Sequence, residues 1–282
     1  MAAQPDWRQV REALPQQIAL GPLRIRYDPA GAAAFSADRA AALAQQLQRA
    51  QAHYTDTLGL TPPWRSARLP TVRTVDVHVL AVPQAMGQAG DAPIAYRYAD
   101  GAIAQPALSI AIAHRWQPGN LTPEHELFHS YQYGYSFFKN AWYLEGLARA
   151  MQADFESRPA RTQPLPADAQ TWTAFLAGSY NTAPIWNRLR LLCDPACREP
   201  SKGALPRACA ASWLRSLLLA MGEQDQRAAQ ARGIPPNAWP EAEQRSPANV
   251  PFMVEALVHS VQSSCPVADS TELQTFVALA PR

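Results

Sequence analysis

Alternating apolar and polar positions predict a group of short strands before residue 114. Residues 72–82, VRTVDVHVLAV, alternate most regularly and contain many β-branched side chains, which favour strands. Shorter runs with the same pattern are residues 23–27 (LRIRY), 94–98 (IAYRY) and 107–113 (ALSIAIA). The first part of the chain is therefore predicted to contain a small sheet.

Helical periodicity predicts one helix among these strands and a mainly helical remainder after them. The first helix starts near residue 36 and ends at Gly59, before two prolines. Thr122 and Pro123 mark the start of the next helix, because a hydroxyl cap and a proline in the first turn favour initiation. Asn140 caps a further helix. Later helices are predicted at 169–192, 207–221 and 249–262.

This order of elements predicts an α+β fold. We expect a small α/β lobe with a mixed sheet over residues 1–120, a pair of helices over 121–156, and a mainly helical C-terminal lobe over 157–282. The three parts are expected to act as one unit.

Composition and charge exclude several classes of protein. Hydrophobic residues make up 48% and charged residues 17% of the 282 positions, as is typical of globular proteins rather than disordered chains. The net charge is only +2, without long runs of either sign, so we expect no nucleic-acid partner. The sequence contains no run of about 18 consecutive apolar residues, so we predict no membrane-spanning helix. Nothing in the pattern fixes the oligomeric state.

The four cysteines suggest an oxidising compartment. Cys193, Cys197, Cys209 and Cys265 all lie in the last third of the chain, and an even, clustered set favours two disulfides. Their pairing stays open, and four reduced thiols are the alternative. The start MAAQPDWRQV has no signal-peptide pattern. We expect a secreted or periplasmic protein whose signal peptide is absent from this sequence.

Residues 125–129, HELFH, carry the candidate chemistry. Positions four apart lie on one face of a helix, so His125 and His129 can both point at one metal ion. Zinc accepts such imidazole nitrogens. Glu126 lies on the neighbouring flank, where it can reach a metal-activated water without binding the metal.

A catalytic zinc needs a third protein ligand, and Glu145 is the candidate. It lies on the helix that begins after Asn140, and Gly146 beside it would let that helix approach the first closely. Glu124 is the alternative, but it lies next to His125 and cannot turn onto the same ion as both histidines. We therefore predict one zinc per chain on His125, His129 and Glu145.

HELFH followed by WYLEGLA at 142–148 resembles the gluzincin group of zinc peptidases, in which H-E-x-x-H precedes a helix carrying W-x-x-E-G-x-A. The likeness is closest to the broad bacterial peptidase-MA-like families and extends over about residues 23–192. Two features depart from it. The spacing from His129 to Glu145 is shorter than in thermolysin-like or aminopeptidase-like members, and position 149 is arginine instead of the acid that supports a zinc histidine. That supporting partner is therefore unidentified.

The resemblance implies a mechanism and its residues. Zinc would activate a water, and Glu126 would take its proton and pass it to the leaving amine. Tyr180, in a segment similar to the tyrosine-bearing helix of the family, would donate a hydrogen bond to the oxyanion. His259 is an alternative donor, although a histidine on an apolar helix is more often buried. The strand at 107–113 is expected to be a sheet edge that pairs with extended peptide, or else an ordinary internal strand.

The leading prediction is thus a zinc peptidase acting on peptides or proteins, as an endopeptidase or an aminopeptidase. A non-catalytic zinc-containing binding or adhesion module is an alternative, against which the presence of Glu126 argues. A zinc hydrolase of a non-peptide amide or ester uses the same chemistry and is the third hypothesis.

Overall fold

The protein has an α+β fold, as predicted. The computed structural model describes residues 6–83, 85–102, 104–198 and 208–281, which form a five-stranded mixed sheet and ten α-helices. The chain divides into two compact units. The first holds the residues up to Ala52 together with Thr61–Gly134, and the second holds His53–Leu60 and the residues from Tyr135 onward. The division at 1–120, 121–156 and 157–282 stays a prediction.

The first unit is built on the sheet. Its strands are β1 (Gln16–Leu20), β2 (Leu23–Tyr27), β3 (Thr74–Leu80), β4 (Gly87–Ala95) and β5 (Pro106–Ala113), and its helices are α1 (Trp7–Glu12), α2 (Ala37–Ala52) and α3 (Thr122–Tyr135). The strand order is β1-β2-β3-β5-β4. β2, β3 and β5 run parallel, and β1 and β4 join them antiparallel at the two edges.

Both central strands, β3 and β5, are buried on both faces. One face is apolar and carries Val75, Val77 and Ile110, which supply the alternation in the sequence. The opposite face of β3 carries Asp76 and His78, which are also fully buried. The alternation of apolar and polar residues in β3 therefore does not mark a buried and a solvent-exposed face. It marks an apolar face and a polar face that are both buried.

Sequence patterns located the three internal strands, misplaced the edge strand β4 and did not predict the edge strand β1. β2 has the predicted bounds, and β3 and β5 differ from them by one or two residues. β4 was predicted at 94–98 but runs from Gly87 to Ala95, because it is formed by pairing with β5 across a register shift between Gly90 and Ile94. The expectation that 107–113 is an edge is wrong. β5 is internal, and the edge strand beside it is β4.

The second unit is helical. Its helices are α4 (Ala141–Gln152), α5 (Ala169–Leu176), α6 (Ala183–Cys193), α7 (Ala211–Arg232), α8 (Glu241–Gln244), α9 (Val250–Ser264) and α10 (Thr271–Ala278). The helix predicted over 169–192 is two helices, separated by Gly178 and a 3-10 turn, Tyr180–Thr182. The predicted start of α7 at residue 207 lies outside the described residues, as do the first five residues of the chain.

Two disulfides close loops in the second unit, which confirms the prediction of two disulfides. Cys193 pairs with Cys265, and Cys197 pairs with Cys209. Disulfides of this kind are typical of extracellular proteins. Within the described residues, no helix is both long and apolar enough to cross a membrane.

Candidate metal centre

Helix α3 carries the HELFH motif and is buried over nearly its whole length. Thr122 is its first residue and not its cap, because the side-chain oxygen of Asn120 accepts the Thr122 backbone N–H at 3.0 Å. Leu127, Phe128 and Tyr131 are fully buried, as predicted. This packing fixes the helix and hence the direction of its polar side chains.

The two histidines of α3 lie against each other. Their ring centroids are 4.6 Å apart and the rings are nearly perpendicular. His125 is 5% and His129 4% exposed. The Nδ1 atom of His129 lies 2.9 Å from the side-chain oxygen of Gln132. Because that oxygen only accepts, Nδ1 carries the proton and Nε2 keeps the lone pair that a metal needs.

Gln132 is therefore a hydrogen-bond partner of His129, in a position where the sequence identified none. It lies three positions after His129, on the same helix face. The ring of Tyr133 stacks near that of His129, with centroids 6.1 Å apart. Both contacts orient the imidazole.

Glu145 lies on α4, beside the buried stripe of Leu144, Leu147 and Met151. The nearest ligand atoms of His125, His129 and Glu145 all lie within 4.8 Å of one another. Ligands of a tetrahedral zinc ion, with bonds of about 2.0–2.2 Å, lie about 3.3–3.6 Å apart. Two imidazoles and a carboxylate thus form a group that could hold a divalent transition metal.

Glu124, the alternative third ligand, belongs to a different contact. Its carboxylate accepts a hydrogen bond from the side-chain amide of Gln46 at 2.6 Å and lies 3.7 Å from Arg49, both on α2. Burial raises the pKa of Glu124 to about 7. Glu124 is not a member of the metal-binding group, in agreement with the prediction.

Gly146 permits a close approach, but to a different neighbour from the one expected. A Cβ at this position would overlap Thr182 Oγ1 and would lie 2.9 Å from Trp186 Nε1. Both of these groups donate to the backbone oxygen of Trp142, at 2.9 and 2.8 Å. The glycine therefore lets the 3-10 turn with Tyr180 pack against α4, whereas the sequence analysis expected α3.

The edge strand β4 passes directly beside Glu126. A Cβ at Gly87 would lie 2.6 Å from Glu126 Cγ and 2.7 Å from its Oε1. Farther along the strand, the Tyr133 hydroxyl lies 3.4 Å from the backbone oxygen of Ala89. Sequence analysis missed Gly87, although a glycine within a strand is a known indication of close approach.

The two candidate hydrogen-bond donors lie in different settings. Tyr180 begins the 3-10 turn that packs on α4, and 56% of it is exposed. Its catalytic role stays a prediction. His259 is exposed on α9, so the expectation of a buried histidine on that helix is wrong. Position 259 falls on the outer stripe of the helix, away from Val254 and Leu257, which are buried.

Two further histidines are buried and have partners within the protein. His78 Nε2 lies 2.9 Å from the Tyr98 hydroxyl, which donates to Asp76 at 2.6 Å. His53 Nε2 lies 2.9 Å from Asp154 Oδ2. Neither residue belongs to a group of metal-binding side chains among the described residues.

Comparison of the chain with protein-family models, with curated proteins and with solved structures gave no match.

Proposed function

We propose that this protein is a zinc-dependent hydrolase, specifically a metallopeptidase, that acts outside the cytoplasm. The observation that carries the proposal is the group of His125, His129 and Glu145, with Glu126 next to the first ligand on the same helix. A purely structural zinc site has no use for a carboxylate in that position. The sequence resemblance to gluzincin peptidases agrees with this reasoning.

The residues of the chain would divide the chemistry among them. His125, His129 and Glu145 would hold zinc, which when bound supplies a Lewis acid that activates water and polarises a carbonyl group. Glu126 would accept the proton of the attacking water and return it to the leaving nitrogen. Tyr180 would donate a hydrogen bond to the developing oxyanion, because a phenol can donate while it stays neutral.

The position of β4 supports an extended peptide as substrate. β4 pairs with β5 on one side only, so its other side has backbone groups directed away from the sheet. A peptide can add to such an edge as a further strand. Because Gly87 brings this edge against Glu126, a peptide paired there would pass close to the general base. This assigns to β4 the role that the sequence analysis gave to 107–113.

The disulfides support a secreted or periplasmic location.

The decisive test compares the wild-type protein with Glu126→Gln. We expect about one zinc per chain in both, since Glu126 is not a ligand. Because the variant lacks the general base, its rate of cleavage of a mixed peptide library is expected to be about 10²–10⁴-fold lower than that of the wild type. Glu255→Gln, which changes an exposed carboxylate on α9, is the matched control and should keep full activity.

Two outcomes would contradict the proposal. Equal activity of wild type and Glu126→Gln would show that the hydrolysis does not use this base. A zinc-loaded wild type that cleaves no peptide favours either the binding module or the hydrolase of a non-peptide amide or ester. Peptide binding without turnover would indicate the first, and cleavage of amide or ester model substrates the second.

A further inference from the structure

The second unit contains a cavity of about 410 Å³ next to Tyr180. Three arginines line it: Arg149 from α4, and Arg158 and Arg161 from the segment that follows α4. The four residues Arg149, Arg158, Arg161 and Tyr180 are called the arginine pocket below. Nothing in the peptidase mechanism accounts for this concentration of guanidinium groups.

Positive charge is in excess in the arginine pocket. The lining contains one carboxylate, Glu156, which lies 3.2 Å from Arg149. Arg158 and Arg161 are exposed, and among the described residues no carboxylate forms an ion pair with either of them. A concave surface with charge of one sign concentrates counter-ions of the other sign. The pocket is therefore suited to an anion.

The backbone that presents Arg161 is held in place. The side-chain amide of Asn187, a buried residue of α6, donates to the Arg161 backbone oxygen at 3.1 Å. The backbone N–H of Gln163 donates to the Pro184 oxygen at 3.2 Å. Anchoring of this kind lowers the entropic cost of binding, because the backbone that carries Arg161 does not have to be ordered when a ligand binds.

The position of the pocket connects it with the proposed active site. Arg149 lies one helical turn after Glu145 on the same face of α4. Tyr180 belongs both to the pocket and to the 3-10 turn that packs on α4 at Gly146. An anionic group bound in the pocket would thus lie next to the part of α4 that carries the candidate metal ligand.

We propose that the arginine pocket binds a carboxylate group of the peptide substrate and gives the enzyme a preference for acidic peptides. Guanidinium groups match a carboxylate with paired N–H donors. The cavity has room for an acidic side chain or for a C-terminal residue. The inference rests on the proposed function, because it takes the bound peptide to be the substrate.

Direct binding to the Glu126→Gln protein tests this without turnover. Three fluorescent peptides are compared by anisotropy: one with an internal glutamate and an amidated C-terminus, the same peptide with glutamine, and the glutamine peptide with a free C-terminus. At about 20 mM salt, where surface charges are weakly screened, we expect one carboxylate peptide to bind about tenfold or more tighter than the neutral peptide. The peptide that gains identifies the source of the carboxylate.

The matched variants each remove two exposed positive charges from the second unit. Adding Arg158→Gln and Arg161→Gln should abolish the preference, whereas adding Arg227→Gln and Arg245→Gln should preserve it. Equal binding of all three peptides, or equal loss in both double variants, would overturn the proposal. Displacement of the peptides by micromolar inorganic phosphate, with less than about twofold discrimination among them, would also overturn it and indicate a phosphate site.

The outcome separates this inference from the proposed function. If the zinc-loaded wild type cleaves acidic and neutral peptides equally well, the pocket assignment fails and the peptidase stands. If acidic peptide binds through Arg158 and Arg161 but the wild type cleaves none, the pocket stands and the peptidase fails.

Discussion

Two clusters of polar side chains, one on the polar face of the sheet and one around α3, are built on different principles. On the polar face of the sheet lies a set called here the Asp76 cluster, formed by Arg24, Asp76, His78, Tyr98 and Ser109. Arg24 donates twice to Asp76, at 2.6 and 2.7 Å, and Tyr98 donates to it as well. His78 then links Tyr98 to Ser109. Each charge is matched by an opposite charge within the protein.

The cluster on α3 brings together side chains of one kind. Two imidazoles and the carboxylate of Glu145 all offer electron pairs to a cation. The Asp76 cluster sets a guanidinium group beside its carboxylate, whereas the α3 cluster groups two imidazoles with a carboxylate that could hold a metal ion. A buried histidine is thus not in itself evidence of a metal site. What distinguishes the two settings is the charge and donor type of the neighbours.

The largest expected difference between the clusters appears when each loses one member. His125→Ala removes a candidate metal ligand. Loss of a residue that only supports a ligand lowers metal affinity by about 10–100-fold, and the loss of zinc affinity in His125→Ala should be larger. Competition with a chelator of known affinity measures this. Retention of wild-type affinity would show that His125 is not a ligand.

Asp76→Asn is the complementary change. It leaves Arg24 without its buried counter-charge, and breaking such a pair typically costs about 3–5 kcal/mol of unfolding free energy. Urea unfolding of the metal-free protein measures the loss, while zinc affinity should stay unchanged. A variant that keeps full stability, or that loses zinc as His125→Ala does, would contradict the distinction between the two clusters.

A smaller effect is expected from the residue that supports the metal-binding ring. Gln132→Ala removes the acceptor of His129 Nδ1, so the ring loses its fixed tautomer and orientation. Zinc affinity should fall by about 10–100-fold. Gln88→Ala, an exposed glutamine of β4, is the control and should change affinity by less than about twofold. Equal affinities in the two variants would remove Gln132 from the site.

The sequence revealed the α3 cluster because most of its geometry is local. His125, Glu126 and His129 are placed by one helical turn, and Gln132 follows one turn later. Glu145 required only that the chain return as a second helix. Gln132 was nevertheless missed, because a glutamine is common on helices and its partner is known only when the ring orientation is known.

The Asp76 cluster and β4 could not be predicted in the same way. Tyr98 joins the cluster from the loop that follows β4, and no sequence spacing relates it to Asp76 or Arg24. β4 contains Gly87, Gly90 and few β-branched residues, so its strand conformation comes from pairing with β5. The contact of Gly146 with Thr182 is likewise non-local. In each case the deciding interaction joins segments that are distant in sequence.

The smallest expected effect is on the pH dependence of stability, and it isolates His78. Burial, followed by the charge of Arg11, holds the pKa of His78 well below its usual value. The charged or titratable groups around it are Arg11 from α1, Arg24 and Arg26 from β2, Asp76 from β3, and Tyr98. Arg24 is paired with Asp76, and Arg26 with Asp100 at 2.6 Å. Burial and the nearby guanidinium groups together keep the imidazole neutral in the folded protein.

The unfolded chain binds a proton at His78 below pH about 6.5, whereas the folded protein does not. The unfolded state therefore gains protons as the pH falls, and stability decreases. For one histidine, the loss of unfolding free energy between about pH 7.5 and about pH 5.5 is about 1.4 kcal/mol.

His78→Gln is expected to be less stable at both pH values but to lack this part of the dependence of stability on pH. Urea unfolding of the metal-free wild type and variant at the two pH values measures the difference, with His259→Gln, an exposed histidine, as the control that keeps the slope. Parallel slopes for wild type and His78→Gln would mean that His78 is protonated equally in both states and that the Asp76 cluster does not exclude the proton.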